Sequence, residues 1–132
     1  MPKFSKISKE RFNTLELDLQ LILTYAIRVY DFKIIGGHRV RAEQDRVFSK
    51  GLSKVEWPNS KHNSFPSRAV DIAPYPIDWD DRERFVYLAG IIKGIAATKD
   101  IAIRWGGDWD QDNDLHDQSF MDLPHFELVD KE

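Results

Sequence analysis

An aspartate sits in the middle of an apolar, partly β-branched run, Ala69-Val70-Asp71-Ile72-Ala73, closed by Pro74 and Pro76. The run reads as a short strand, and a carboxylate inside it costs several kcal/mol if it is buried without a partner. Any fold this chain adopts must therefore bring a hydrogen-bond donor, a cation or a metal ion to Asp71. The chain contains no cysteine, which removes disulfide frameworks, thiolate zinc sites and thiol nucleophiles. A metal would have to be held by His, Asp or Glu. There are four histidines: His38, His62, His116 and His125.

The rest of the chain supplies a frame for that strand. From Ser8 to Tyr30, Phe12, Leu15, Leu19, Ile22, Ala26 and Val29 recur at steps of three and four, which predicts one amphipathic helix. Phe32 to Ile35 reads as a buried strand turning at Gly36-Gly37, and Arg41 to Lys50 as a short helix stopped by Gly51. Leu52 to Arg68 has no period and is rich in Ser, Asn, Pro and Lys, so it is loop. Asp78 is predicted to cap a further helix, with Asp80 and Asp81 in its first turn and Phe85, Leu88, Ile92 and Ile95 on one face. Ile101 to Trp105 and His125 to Val129 read as two more strands around an acidic loop. Helices and strands do not alternate regularly. The expected class is α+β, a small, mainly antiparallel sheet packed with helices.

At 132 residues, 42% hydrophobic and 31% charged, the chain is expected to form a single domain over residues 1–132 with a core large enough to need no staple. Its net charge is −3 with the signs interspersed, unlike the basic face of a nucleic-acid binder. No apolar run approaches the ~20 residues that span a bilayer, and Met1-Pro2-Lys3-Phe4-Ser5-Lys6 does not look like a signal peptide. The expectation is a monomer made in the cytoplasm, without stable membrane association.

His62 lies nine positions before Asp71, and Asp122-Leu123-Pro124-His125-Phe126-Glu127 sets a carboxylate three residues before a histidine. Pro124 favours an extended approach to the last strand, so Asp122 can reach the same site from the adjoining loop. His62, Asp71 and His125 would offer two imidazoles and a carboxylate, a set that suits zinc and leaves a position for water. Asp122 is the natural general base, and Arg39 can stabilise an oxyanion or hold a substrate carboxylate. The residues alone also allow a plainer reading. Asp71 could pair with Arg39 or Arg68, His62 could lie at the surface, and His125 could be a satisfied core histidine.

Four blocks in order carry a resemblance: Gly37-His38-Arg39 before a helix with Ala42 and Gln44; Ser60-Lys61-His62 through Ala69-Val70-Asp71-Ile72-Ala73-Pro74; Trp105-Gly106-Gly107-Asp108-Trp109; and Asp122-Leu123-Pro124-His125-Phe126-Glu127-Leu128. Together they resemble the zinc peptidases that comprise the L-alanyl-D-glutamate endopeptidases, phage endolysins among them, and the D-alanyl-D-alanine carboxypeptidases. That family shares its fold with the hedgehog signalling domain. The resemblance implies His62, Asp71 and His125 as zinc ligands, Asp122 as catalytic base, Arg39 as the arginine assisting the substrate carbonyl, and Ser60 as a residue lining the cleft. It implies a peptidoglycan stem peptide as substrate, cut at the L-Ala–D-Glu bond, and release to the wall through phage-made membrane holes. The alternatives are a D-alanyl-D-alanine carboxypeptidase or a non-catalytic, zinc-containing hedgehog-like binding module; Asp122 argues against the latter. Many members have a glycine and a shorter gap between the first His and the Asp, where this chain has Asn63-Ser64-Phe65-Pro66-Ser67-Arg68.

Three polar features remain. His116, beside Asp114 and Asp117, is expected at the surface, and His38 at the surface or in a structural role. Glu127 can point to the same face as His125, there to orient it or simply to meet solvent. Asp108, Asp110, Asp112 and Asp114 alternate as at the start of an EF-hand loop, which suggests a secondary calcium site. Asn113 stands where that loop has its glycine, and a solvated acidic loop is the alternative.

Overall fold

The computed structural model describes residues 3–116 and 121–130. Their elements run α1 (Lys6–Phe12), α2 (Leu17–Ala26), β1 (Phe32–Gly36), α3 (Arg41–Ser49), β2 (Ala69–Pro74), α4 (Arg82–Thr98), β3 (Ile103–Trp105) and β4 (His125–Leu128), with a 3₁₀ turn at Lys61–Asn63. The four strands form one antiparallel sheet in the order β1-β2-β4-β3. This is the expected α+β class.

The helix expected from Ser8 to Tyr30 is two helices. Between them Ser67 donates its backbone N–H to the Thr14 carbonyl (2.8 Å), and Glu16 donates to the Ser67 carbonyl (2.9 Å). Backbone groups engaged across the chain cannot also serve the i→i−4 ladder, so the helix stops at Phe12 and restarts at Leu17. The apolar period survives the break, with Phe12, Leu15, Leu19, Ile22 and Ala26 all buried, but Val29 lies beyond α2 and is 67% exposed. The cap of α4 also differs. Asp78 closes the preceding turn by accepting from Asp80 N–H (3.0 Å), and Asp81 is the N-cap, accepting from Arg84 N–H. Gly51 does end α3, at φ +75°, the left-handed conformation that glycine adopts without penalty.

The sheet has two chemically different faces because side chains alternate along each strand. Ile34, Val70, Ile72, Trp105, Phe126 and Leu128 belong to one buried cluster with Leu19, Ile22 and Leu23 of α2 and Leu88, Ala89 and Ile92 of α4. Each such aliphatic side chain contributes roughly 1.5–3 kcal/mol on burial, so this face locks the register of β2 against β4. The residues between them, Asp71 on β2, His125 and Glu127 on β4 and Arg104 on β3, fall on the other face. Register pairs Asp71 with His125 and Arg104 with Glu127. A polar cluster is thus built on a sheet whose opposite side is hydrophobic core.

Candidate metal centre and cleft

His62 reaches this polar face from the 3₁₀ turn. Ser60 caps the turn, its hydroxyl accepting from His62 N–H (3.2 Å), while Asn63 Oδ1 accepts from Ser60 N–H. Arg39 N–H donates to the His62 carbonyl (2.7 Å), and Arg68 N–H to the Lys61 carbonyl (3.1 Å), which ties the turn to the strands on both sides. These bonds fix a polar, aperiodic segment well enough that His62 is only 2% exposed.

Three ligand atoms converge. His62 Nε2 lies 3.4 Å from Asp71 Oδ1, His125 Nδ1 lies 3.2 Å from the same oxygen, and the two ring nitrogens are 3.2 Å apart. His62 Nδ1 is 2.7 Å from the Gly37 carbonyl, and His125 Nε2 is 2.8 Å from Glu127 Oε1. Both partners are acceptors, so each holds a proton on the outward nitrogen and turns a lone pair inward. Two lone pairs and a carboxylate oxygen facing one another repel unless a cation or a proton stands among them. His62, Asp71 and His125 can therefore hold a metal ion.

Without a metal the cluster takes up a proton instead. Burial by itself would lower the His125 pKa, but hydrogen bonds to Asp71 and Glu127 overcome it and raise the value to about 9. Burial would raise Asp71; the neighbouring His62 and His125 hold it well below the usual carboxylate range. Glu127 is likewise lowered, to about 2, by His125 and Arg104 against its burial. Asp122 moves the other way. Burial, and then the negative charge of Asp71, raise its pKa.

An open cleft of about 540 Å³ lies over the cluster, lined by Arg39, Ser60, His62, Asp122 and His125 among others. Asp122 is placed by backbone bonds, its N–H donating to the Gly106 carbonyl (2.8 Å) and its carbonyl accepting from His125 N–H (3.0 Å). Arg39 approaches Asp71 Oδ2 at 3.5 Å and donates to Gln44 Oε1 at 2.9 Å. The simple pairing of Asp71 with Arg39 is thus present together with the histidine cluster rather than in place of it.

The structure brings all six site residues expected from the sequence to one place: Asp71 in the ligand cluster, and Arg39, Ser60, His62, Asp122 and His125 along the cleft above it. Glu127 is buried, so its solvent-exposed alternative does not hold. His116 is exposed, with its N–H bonded to Asp114 Oδ1 (2.9 Å), and Asp117 lies outside the described residues. His38 is structural, bonding the Ser64 carbonyl (3.0 Å) and packing edge-on against Phe65. Of the acidic loop, Asp108, Asp110 and Asp112 come together, and Asp114 is not among them.

Sequence reasoning gave no role to several residues in and around the cleft. Lys61 lies 3.5 Å from Glu127 Oε2 and also donates to the Leu128 carbonyl. Arg104 Nη2 donates to the same oxygen at 2.8 Å, and the Trp109 ring packs 5.4 Å from that of His125. Gln44 is fully buried and donates to Ser53 Oγ and the Val55 carbonyl, holding the cleft wall. The available signal was alternation: Arg104 stands between Ile103 and Trp105, as Asp71 does between Val70 and Ile72.

Comparison with known proteins places the chain among the peptidases. The chain belongs to the family described as phage L-alanyl-D-glutamate peptidase, whose model matches residues 1–129. It is 33% identical over 135 residues to the L-alanyl-D-glutamate peptidase of Escherichia phage T5, covering 96% of this chain and 98% of that protein. Its fold matches the crystal structure of the Serratia marcescens L-Ala D-Glu endopeptidase ChiX with a TM-score of 0.78 at 24% identity, over 96% of this chain and 90% of the other.

Proposed function

We propose that this chain is a single-domain zinc endopeptidase that cuts the L-Ala–D-Glu bond of the peptidoglycan stem peptide. The observation that carries the metal reading is the spacing of the three inward-facing ligand atoms, 3.2–3.4 Å. Donors about 2.0–2.1 Å from a tetrahedral zinc stand roughly 3.3–3.4 Å from one another. His62, Asp71 and His125 would hold the ion, and the cleft gives its fourth position access to substrate. Bound there, zinc supplies Lewis acidity, which brings the pKa of water down to about 7.

The chain's own residues supply the rest. Asp122, whose pKa is raised by burial and by Asp71, accepts the proton of the attacking water and returns it to the departing amine of D-glutamate. Arg39, held by Gln44, donates to the carbonyl oxygen as negative charge develops on it. Ser60 orders the turn that bears His62 while lining the cleft. Family membership supports the choice of bond. Among the described residues no helix is long and apolar enough to cross a membrane, and the enzyme would meet the wall after passing through phage-made holes. Mass spectrometry of digested wall tests the bond. Stem peptides starting with D-glutamate are expected, whereas release of D-alanine alone would indicate a carboxypeptidase.

The acidic loop forms a second, calcium-binding site in this proposal. Asp108, Asp110 and Asp112 offer oxygens within 4.8 Å of one another, and Asp108 Oδ1 is buried with no hydrogen-bond partner among the described residues. A buried carboxylate with an unpartnered oxygen, grouped with two further acids, suits a hard cation. Calorimetry of the zinc-loaded protein should show calcium binding that Asp110→Asn/Asp112→Asn abolishes; no calcium heat at millimolar concentration would leave the loop as solvated surface.

A further inference from the structure

The charges lining the cleft do not follow those of the chain. Arg39, Lys54, Lys61 and Arg104 face it against Asp110, Asp122 and Glu127, although the whole chain carries −3. With Asp71 engaged by a divalent ion, the cleft becomes an attractive place for an anionic ligand. Arg39 is engaged with Asp71 and Gln44, and Lys61 with the Leu128 carbonyl and Glu127.

Arg104 differs from both. Its guanidinium lies over the Trp109 ring at 5.8 Å, which holds its plane in place. Nη2 donates to Glu127, while Nε has no hydrogen-bond partner among the described residues. A guanidinium carries five N–H donors in a planar fork and can serve two carboxylates at once. Glu127 also stays paired through Lys61, so Arg104 can turn part of its fork toward a ligand without stranding a buried charge. Its position relative to the reacting centre is set by two contacts of 2.8 Å: His125 Nε2 to Glu127 Oε1, and Glu127 Oε2 to Arg104 Nη2.

The substrate offers a matching group. In the stem peptide, D-glutamate continues the chain through its γ-carboxyl, so its α-carboxyl remains free on the carbon that bears the scissile nitrogen. In some walls that group is a carboxamide. We propose that Arg104 is a specificity-determining residue that binds the free α-carboxylate of this D-glutamate and disfavours the amidated form. A carboxamide has no charge and replaces one acceptor with a donor, and arginine has no acceptor to offer it. The inference rests on the L-Ala–D-Glu bond proposed above.

The test uses zinc-loaded protein and two synthetic stem peptides that differ only in the α-carboxylate or α-carboxamide of D-glutamate. The parent should prefer the carboxylate by about 10- to 100-fold in kcat/KM, the range for a charge-assisted hydrogen bond. Arg104→Gln should collapse that ratio, mainly through KM on the carboxylate peptide, and Arg104→Lys should restore part of it. Had Arg104 served only to hold Glu127, its loss would slow both peptides equally and leave the ratio unchanged. That result, or equal cleavage of the two peptides by the parent, overturns the assignment. Should Arg104→Gln fail to fold, the parent's ratio and the Arg104→Lys variant still decide. Cleavage of neither peptide would refute the bond itself, and the role of Arg104 with it.

Discussion

Asp71 and His125 are register partners across the β2–β4 ladder, and their side chains meet at 3.2 Å. Neighbouring positions on one sheet face give a rigid pair of ligands, to which His62 adds the third from a capped turn. Changing His125 to Ala should leave the backbone pairing intact and remove most of the bound zinc. Metal analysis of purified protein checks this, and a full equivalent of zinc in His125→Ala would remove it from the ligand set.

Asp122 is close enough to the cluster for its pKa to respond to Asp71, His125, His62 and Arg39. Asp122→Asn keeps the shape and the backbone bonds to Gly106 and His125 but cannot accept a proton. Zinc content should be unchanged and turnover should fall roughly 10²–10⁴-fold, the usual contribution of a general base. Near-normal kcat on stem peptide would move the base elsewhere.

A β-carbon on Gly106 would overlap the carbonyl oxygen of Asp122. The two residues are also joined by the Asp122 N–H to Gly106 carbonyl bond, so neither can retreat without breaking it. Gly106→Ala should therefore displace Asp122 and lower kcat more than it lowers zinc affinity. Steady-state kinetics alongside a zinc competition assay separates the two effects, and a fully active variant would show that the segment yields freely.

Stability of the metal-free protein should depend on pH through His125. Its folded pKa is raised from 6.5 to about 9, so the native state binds this proton more tightly than the unfolded chain does. The resulting stabilisation is complete below about pH 6.5 and is lost as the pH rises through about 9. Zinc requires the neutral imidazole, which removes this dependence. Melting temperatures of chelated protein should fall across that interval relative to the zinc-loaded form; parallel curves would contradict the reading.

Much of the cleft was legible in the sequence because chemistry and spacing coincide there. Asp71 inside an apolar strand demanded a partner, and the absence of cysteine left only histidine and carboxylate to supply a metal site. The Pro124 break before His125 pointed to an Asp122 arriving from a loop, as it does. Elements with strong local signals were equally readable: the apolar face of α4, the short buried β2 and the stop at Gly51.

Tertiary structure decided whatever depended on a distant backbone partner. The break between α1 and α2 is made by Ser67, some fifty residues away in the chain, while the helical period runs through it undisturbed. The choice of Asp81 over Asp78 as the α4 cap turned on which carboxylate the preceding turn had already engaged. The attachment of Lys61 and Arg104 to Glu127 depended on strand register. Periodicity and composition record what each residue prefers. Which hydrogen-bonding groups are already engaged is a property of the folded chain, and that competition set both the helix boundaries and the cations around the cleft.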